Sequence, residues 1–244
     1  MATVLEEACT GCGICIPYCT VGAMRLTQME KVVIDRRVCT ECGVCHRNPI
    51  CPASAIVPGP YETFGDIFKH TLSDVTVTVA STGGIPGRGT EECKTNDVTG
   101  RYPPGRVGFA IDMGRPGLGV WLWDVEKVAR AVVEAGLELE GPEHNPLASV
   151  FEDLHEVRLK EGMEDVHLLS IIIEGTCPVE KAGAVLDMLR RIEADVDTVF
   201  SVGLIARVDE SGYHPVLDEL PKHGLPKPFQ GKVNVGLGRR LRPV

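Results

Sequence analysis

The residues best placed to do chemistry are cysteines, and eight of the ten fall within the first 51 positions. Cys9, Cys12, Cys15 and Cys19 are spaced C-x2-C-x2-C-x3-C, and Cys39, Cys42, Cys45 and Cys51 are spaced C-x2-C-x2-C-x5-C with Pro52 following. Thiolates are soft, charged ligands suited to iron-sulfur cubanes, and a tight loop of three can grip three corners of one, so the fourth ligand must come from elsewhere. The runs answer each other residue for residue. Ala8 to Cys15 matches Val38 to Cys45, and Ala23-Met24 matches Ala55-Ile56, which reads as a short duplicated unit with two metal sites. Structural zinc also uses C-x2-C pairs, but triplets with a separate fourth cysteine suit independent zinc ribbons poorly.

These runs must be carried by a small body of their own. Val57-Pro58-Gly59-Pro60 reads as its boundary, dividing the chain into residues 1–60 and 61–244. The 244 residues are 43% hydrophobic and 24% charged, enough for a packed core and incompatible with global disorder. The net charge of −9 argues against nucleic-acid binding through a basic face. It is concentrated between residues 61 and 219, whereas Lys222, Lys227, Lys232, Arg239, Arg240 and Arg242 make a basic end expected to fold back over that acidic body. No stretch approaches the ~20 apolar residues of a membrane span. No basic region followed by an apolar run opens the chain, so a cytoplasmic, reducing setting is expected, with cysteines as ligands or reactive thiols rather than disulfides.

The cysteine runs resemble those of the bacterial dicluster ferredoxins, over residues 1 to about 60. In that family the fourth cysteine of each run ligates the other cluster. The resemblance therefore implies two 4Fe-4S clusters, one on Cys9, Cys12, Cys15 and Cys51, the other on Cys39, Cys42, Cys45 and Cys19. It also implies electron transfer with a redox partner protein, in an anaerobic or strictly reducing system. Two departures stand out: Thr20 where proline is usual, and five residues, His46 to Ile50, before Cys51. Neither removes a ligand; the extra residues should bulge beside one cluster, with His46 as a solvated loop side chain.

The remainder alternates strand-like and helix-like segments. Val75 to Val79, Val107 to Met113, His155 to Lys160, Leu168 to Ile173 and Thr198 to Val208 read as strands. Val125, Val128, Ala129, Val132 and Val133 recur at helical spacing after Asp124 as N-cap, and Pro178 to Ile192 forms a second amphipathic helix. Residues 107–208 thus fit β-α-β-β-α-β, an α+β domain of split βαβ type, analogous to the ACT plait at the level of fold alone. The strands preceding the two helices are expected to run parallel, bringing the loops Gly114 to Gly119 and Gly175 to Pro178 to one end of the sheet. Val233-Asn234-Val235 reads as an edge strand.

Two thiols and five cations there are candidates for a second site. Cys177, before Pro178, is expected at a helix N-cap, where the dipole lowers a thiol pKa. Cys93 lies in the glycine-rich segment Ser81 to Arg106, and Arg88, Lys94, Arg101, Arg106 and Arg115 are candidate contacts for a small anionic ligand. No dinucleotide fingerprint, P-loop, Gly-x-Ser-x-Gly or His-Glu-x-x-His motif is present. Trp121 and Trp123 read as packing the loop before a helix onto the sheet. Three functions are compatible with these residues: an electron-carrier subunit, a reductase with Cys93 and Cys177 at a substrate site, and a redox or metabolite sensor.

Overall fold

A computed structural model of the chain describes residues 1–74, 76–77, 101–115, 117–227 and 235–237. The N-terminal part is built on two antiparallel ribbons. Strand β1 (Ala2–Val4) pairs with β4 (Ile56–Pro58), and β2 (Met24–Leu26) pairs with β3 (Val32–Ile34). Between them lies a core of Cys9, Cys15, Met24, Val32, Ala55 and Ile56. So small an apolar core leaves cysteine sulfur as a substantial part of what is buried.

The duplication seen in the sequence is repeated in the backbone. Gly11 and Gly13 hold φ of 70° and 73° within the first cysteine loop, and Glu41 and Gly43 hold 59° and 68° within the second. Beyond the fourth cysteines, Gly22 at 69° corresponds to Ser54 at 50°. Left-handed residues at these points turn successive backbone N–H groups inward, which a run of ordinary β or α residues does not do. The helical turn α1 (Val44–Arg47) takes up part of the longer spacing before Cys51.

A ten-residue helix, α2 (Phe64–Ser73), follows the Pro58-Gly59-Pro60 bend. Thr63 caps it, its hydroxyl accepting from the Asp66 N–H at 3.0 Å while the Asp66 carboxylate accepts from the Thr63 N–H at 3.3 Å. Phe68 and Leu72 point into the larger core. Beyond it, β5 (Arg106–Met113), the two-residue strand β6 (Val120–Trp121), α3 (Leu122–Glu134) and β7 (Glu138–Leu139) are followed by β8 (Phe151–Asp153), β9 (Arg158–Leu159) and β10 (His167–Leu168). Then come β11 (Ile171–Pro178), α4 (Val179–Ile192), β12 (Phe200–Ile205), α5 (Val216–Glu219) and β13 (Val235–Leu237). A five-stranded sheet of order β13-β12-β5-β11-β7 is antiparallel throughout. Helices α3 and α4 pack on each other, with Val125, Val128, Ala129 and Val132 of one and Ala182, Val185, Leu186 and Leu189 of the other in the core. Helix α3 stops where Gly136, at φ 103°, donates its N–H to the Val133 carbonyl and Leu137 donates to Val132, a paired cap that suits glycine.

The mixed helix and strand content agrees with the sequence, but several details differ. Residues 158–159 pair with β8 in a separate ribbon, and β7 takes the sheet position expected for 155–160. Met113 pairs with Ile171 and Arg106 with Pro178, so β5 and β11 are antiparallel and the loops after them lie at opposite ends of the sheet. Trp121, not Asp124, occupies the N-cap of α3; Asp124 is buried, its carboxylate accepting from Lys127 Nζ at 2.9 Å and the Asp197 N–H at 3.1 Å. The edge strand is found at Val235–Leu237. Lys222 and Lys227 pair with Glu219 and Asp218, while Lys232, Arg239, Arg240 and Arg242 lie outside the described residues. Most of the expected Val75 to Val79 strand also lies outside them.

Ile173, fully buried at the centre of β11, is a measure of this larger core. Ile173→Ala is expected to lower the stability of the sheet by about 2–5 kcal/mol, read as a reduced midpoint in chemical denaturation followed by far-UV circular dichroism.

Candidate metal centre

The two cysteine loops are stitched to the chain by hydrogen bonds that end on sulfur. The Val32 N–H donates to Cys9 Sγ at 3.5 Å, the Ala23 N–H to Cys19 Sγ at 3.2 Å and the Ala55 N–H to Cys51 Sγ at 3.3 Å. The last two are the same bond in the two halves of the duplication, from the fourth residue after the fourth cysteine. N–H groups on sulfur favour the charged thiolate, the form that ligates metal. The Val32 and Gly11 N–H groups accordingly hold the Cys9 thiol below its ordinary range.

The cysteine thiols also act on one another electrostatically. Burial raises Cys15, and the charges of Cys51, Cys12 and Cys9 raise it further. Burial likewise pushes Cys45 up to about 11, with Cys42 and Cys19 adding to the effect. Cys39 is raised most by burial and then by Glu41, whose carboxylate oxygen lies 3.2 Å from Cys39 Sγ. Free thiols raised by crowding and burial bind metal only by releasing protons, which couples metal uptake to pH. No group of three or more His, Cys, Asp and Glu side chains among the described residues is placed to hold a single metal ion. Thr40, between Cys39 and Glu41, is 1% exposed, and its hydroxyl lacks a hydrogen-bond partner. Cluster sulfur is an acceptor of the kind this hydroxyl lacks, and the soft donors with their N–H groups fit an iron-sulfur cubane.

The second run is also held from outside. Lys69 of α2, 4% exposed, donates to the carbonyls of Arg36 at 3.2 Å and Arg37 at 3.4 Å. Arg47 donates to the Cys42 carbonyl at 2.6 Å and pairs with the buried Asp74 at 2.7 Å, just past the same helix. His167 Nδ1 lies 2.6 Å from the Val38 carbonyl; a carbonyl only accepts, so this nitrogen carries the proton. His167 stacks on Trp121 at 4.4 Å, Trp121 stacks on Trp123 at 4.5 Å, and the Arg37 guanidinium covers Trp121 at 4.9 Å while pairing with Asp165 at 2.8 Å. The tryptophans thus pack against the cysteine-rich part as well as within their own. His46 is half-buried, and burial followed by the Arg47 charge lowers its pKa, so it is not the fully solvated side chain expected.

Among the described residues, the side chains of the candidate second site are not brought together. Cys177 is a strand residue facing Val107, one position before the true N-cap Pro178; it is fully buried, and burial pushes it up to about 11, the reverse of an activated thiol. Arg106 pairs with Glu138 at 2.7 Å, Arg115 with Asp112 at 2.9 Å and Arg101 with Glu140 at 3.4 Å. Arg106 and Arg115 flank β5, roughly 25 Å apart at ~3.3 Å per residue, too far to share a small anion. Cys93, Arg88 and Lys94 lie outside the described residues. A cavity of about 460 Å³ beside α2 is lined by Lys69 and Lys160 but also by Asp66, Glu161 and Asp165, and the helix N-terminus there is already capped by Thr63.

Comparison with known proteins places this geometry in a class. The 4Fe-4S binding domain family matches residues 2–25. Ferredoxin-1 of Chlorobaculum tepidum is 40% identical over 63 residues, covering 24% of this chain and all of that protein. The ferredoxin of Chlorobaculum thiosulfatiphilum is 40% identical over 62 residues, again covering all of it and 24% of this chain. One subunit of the ion-translocating oxidoreductase complex of Methanosarcina acetivorans is 43% identical over 53 residues, 22% of this chain and 19% of that protein. No solved structure matches. Through its first sixty or so residues the chain belongs to the ferredoxin family: it carries a 4Fe-4S-binding domain, and the chemistry it supports is iron-sulfur electron transfer. The rest of the chain is not assigned to a family by these matches. Among the described residues no helix is long and apolar enough to cross a membrane.

Sequence reading missed Lys69, Arg37, His167 and Glu41. Thr63-x-x-Asp66 followed by Phe64, Phe68 and Leu72 at four-residue spacing was the available signal for α2 and hence for Lys69; none marks His167.

Gly11 is the sharpest local test. A Cβ there would lie 1.8 Å from the Glu30 carbonyl oxygen, at a φ of 70°. Gly11→Ala is expected to displace the first loop, costing more than about 1 kcal/mol, and to lower the iron recovered per chain, measured by colorimetric iron assay after anaerobic purification.

Proposed function

We propose that the protein is an electron-carrier subunit or module that uses two 4Fe-4S clusters in a cytoplasmic, anaerobic redox system. One cluster is held by Cys9, Cys12, Cys15 and Cys51 and the other by Cys39, Cys42, Cys45 and Cys19. When bound, each would take up and release one electron. The observation that carries this reading is the pair of cysteine runs, and the electrostatic influence of Cys51 on Cys15 and of Cys19 on Cys45 supports two mixed ligand sets in one shell. The chain's own contribution is to bury thiolates among backbone N–H donors and to exclude water with Met24, Val32, Ala55 and Ile56.

Residues 61–244 form, in this reading, a second domain that anchors the clusters and docks a redox partner protein. Its contacts with the second cysteine run, through Lys69, Arg47–Asp74 and His167, support anchoring. A partner is supported by the relative whose name makes it a component of an oxidoreductase complex.

Iron and acid-labile sulfide are expected at about eight of each per chain, with a coupled two-cluster EPR signal in the dithionite-reduced protein that is unchanged in Cys177→Ser. About four of each, or zinc in place of iron, would overturn the two-cluster reading.

A further inference from the structure

The ferredoxin relatives match the first sixty or so residues; Arg47, from within that part, lies 2.6 Å from the Cys42 carbonyl, but a buried ammonium on the backbone just before the second cysteine run, that of Lys69, comes from beyond it, on α2. Lys69 is the one lysine in the buried set of the described residues. Its ammonium is held by the Arg36 and Arg37 carbonyls, two and three residues before Cys39. The same helix end fixes Asp74, which holds Arg47 on the Cys42 carbonyl, so α2 brackets the loop on both sides and keeps the lysine from swinging to solvent.

The first run has a counterpart of different character. Lys31 donates to the Cys9 carbonyl at 2.5 Å, but it comes from the β2–β3 turn of the ferredoxin part itself and is half-exposed. The halves of the duplication thus each carry an ammonium on backbone carbonyls at or just before the first cysteine, one half-exposed and one buried. A charge out of water acts across a lower effective dielectric and is screened less by salt.

We propose that Lys69 is a positioning residue that sets the reduction potential of the second cluster, its buried cation making that cluster easier to reduce. This rests on the two-cluster reading above. Reduction adds one negative charge to the cluster, and a fixed positive charge nearby favours the more negative state. Burial lowers the Lys69 pKa, and the charges of Cys39, Asp66, Glu41 and Asp35 act in the other direction. Glu41, buried beside Cys39, works on the cluster in the opposite sense, so the quantity that isolates Lys69 is a difference between variants rather than an absolute potential.

The test is an EPR-monitored redox titration of the full chain in four forms: unchanged, Lys69→Met, Lys69→Arg and Lys31→Met, each assayed first for iron. With full iron content, Lys69→Met is expected to lower one titration wave by about a tenfold change in the oxidised-to-reduced ratio, about 59 mV for one electron, and to leave the other in place. Lys69→Arg should restore the wave. Lys31→Met should move the other wave, and by less. Both waves unmoved, both moved together, or the same wave moved by Lys69→Met and Lys31→Met would overturn the proposal. If Lys69→Met does not fold, Lys69→Arg with an unshifted wave against Lys69→Gln with a lowered one carries the same distinction. An iron content near half in the unchanged protein would instead show that the two-cluster reading has failed, and the proposal with it.

Discussion

Helix α2 is the constraint on which the arrangement of the two parts depends. It has two jobs that share ten residues: Phe68 and Leu72 are buried in the larger core, while Lys69, between them in sequence, reaches carbonyls of the cysteine-rich part. A buried ammonium is tolerated because the Arg36 and Arg37 carbonyls replace part of its hydration, and leaving those acceptors without it would expose a desolvation cost on both sides. The pair Arg47–Asp74, the stack of His167 on Trp121 and the ion pair Arg37–Asp165 then extend the same junction.

The cysteine-rich part shows how a duplicated sequence becomes two unequal sites. Gly11 has no room for a side chain, because the Glu30 carbonyl occupies the space. The matching position holds Glu41, which accepts the strained left-handed backbone and uses its carboxylate to accept the Ala2 N–H at 3.1 Å. That bond ties the second loop to β1. The first run buries Cys9 and Cys15 and leaves Cys12 exposed, with Ile14 and Met29 also exposed, whereas all four cysteines of the second run are half-buried. A duplicated cysteine pattern thus produces two sites that the rest of the protein surrounds differently.

What the sequence revealed and what it hid follow the range of the interactions involved. The cysteine runs were legible because metal ligation by a tight loop is local, as were α3 and α4, whose apolar residues recur every three to four positions. The sense of β5 against β11 was misread because it depends on which strands become neighbours, and a two-residue β7 carries no periodic signal. Asp124 and Cys177 were misassigned by the same error: both were given helix-capping roles from local pattern, and both are buried instead, Asp124 by its bonds to Lys127 and Asp197 and Cys177 by its place in a strand. Arg106 and Arg115 are both candidate anion contacts in the sequence, yet Arg106 opens the eight-residue strand β5 and Arg115 lies beyond its far end. His167 could not be found from sequence, since its role is fixed by a carbonyl 129 positions away.

One consequence of the junction concerns how electrons must be delivered. A helix of ten residues is a rod of about 15 Å, and α2 is gripped by both bodies along its length rather than at its ends. Swinging one body relative to the other would break the lysine's bonds to Arg36 and Arg37, the His167 bond to Val38 and the Trp121–His167 stack together. Small free ferredoxins work as shuttles that diffuse between donor and acceptor. In this chain the cysteine-rich part is instead tied to the larger one at several points, and under the proposed function an electron partner would approach on the side where Cys12 is exposed.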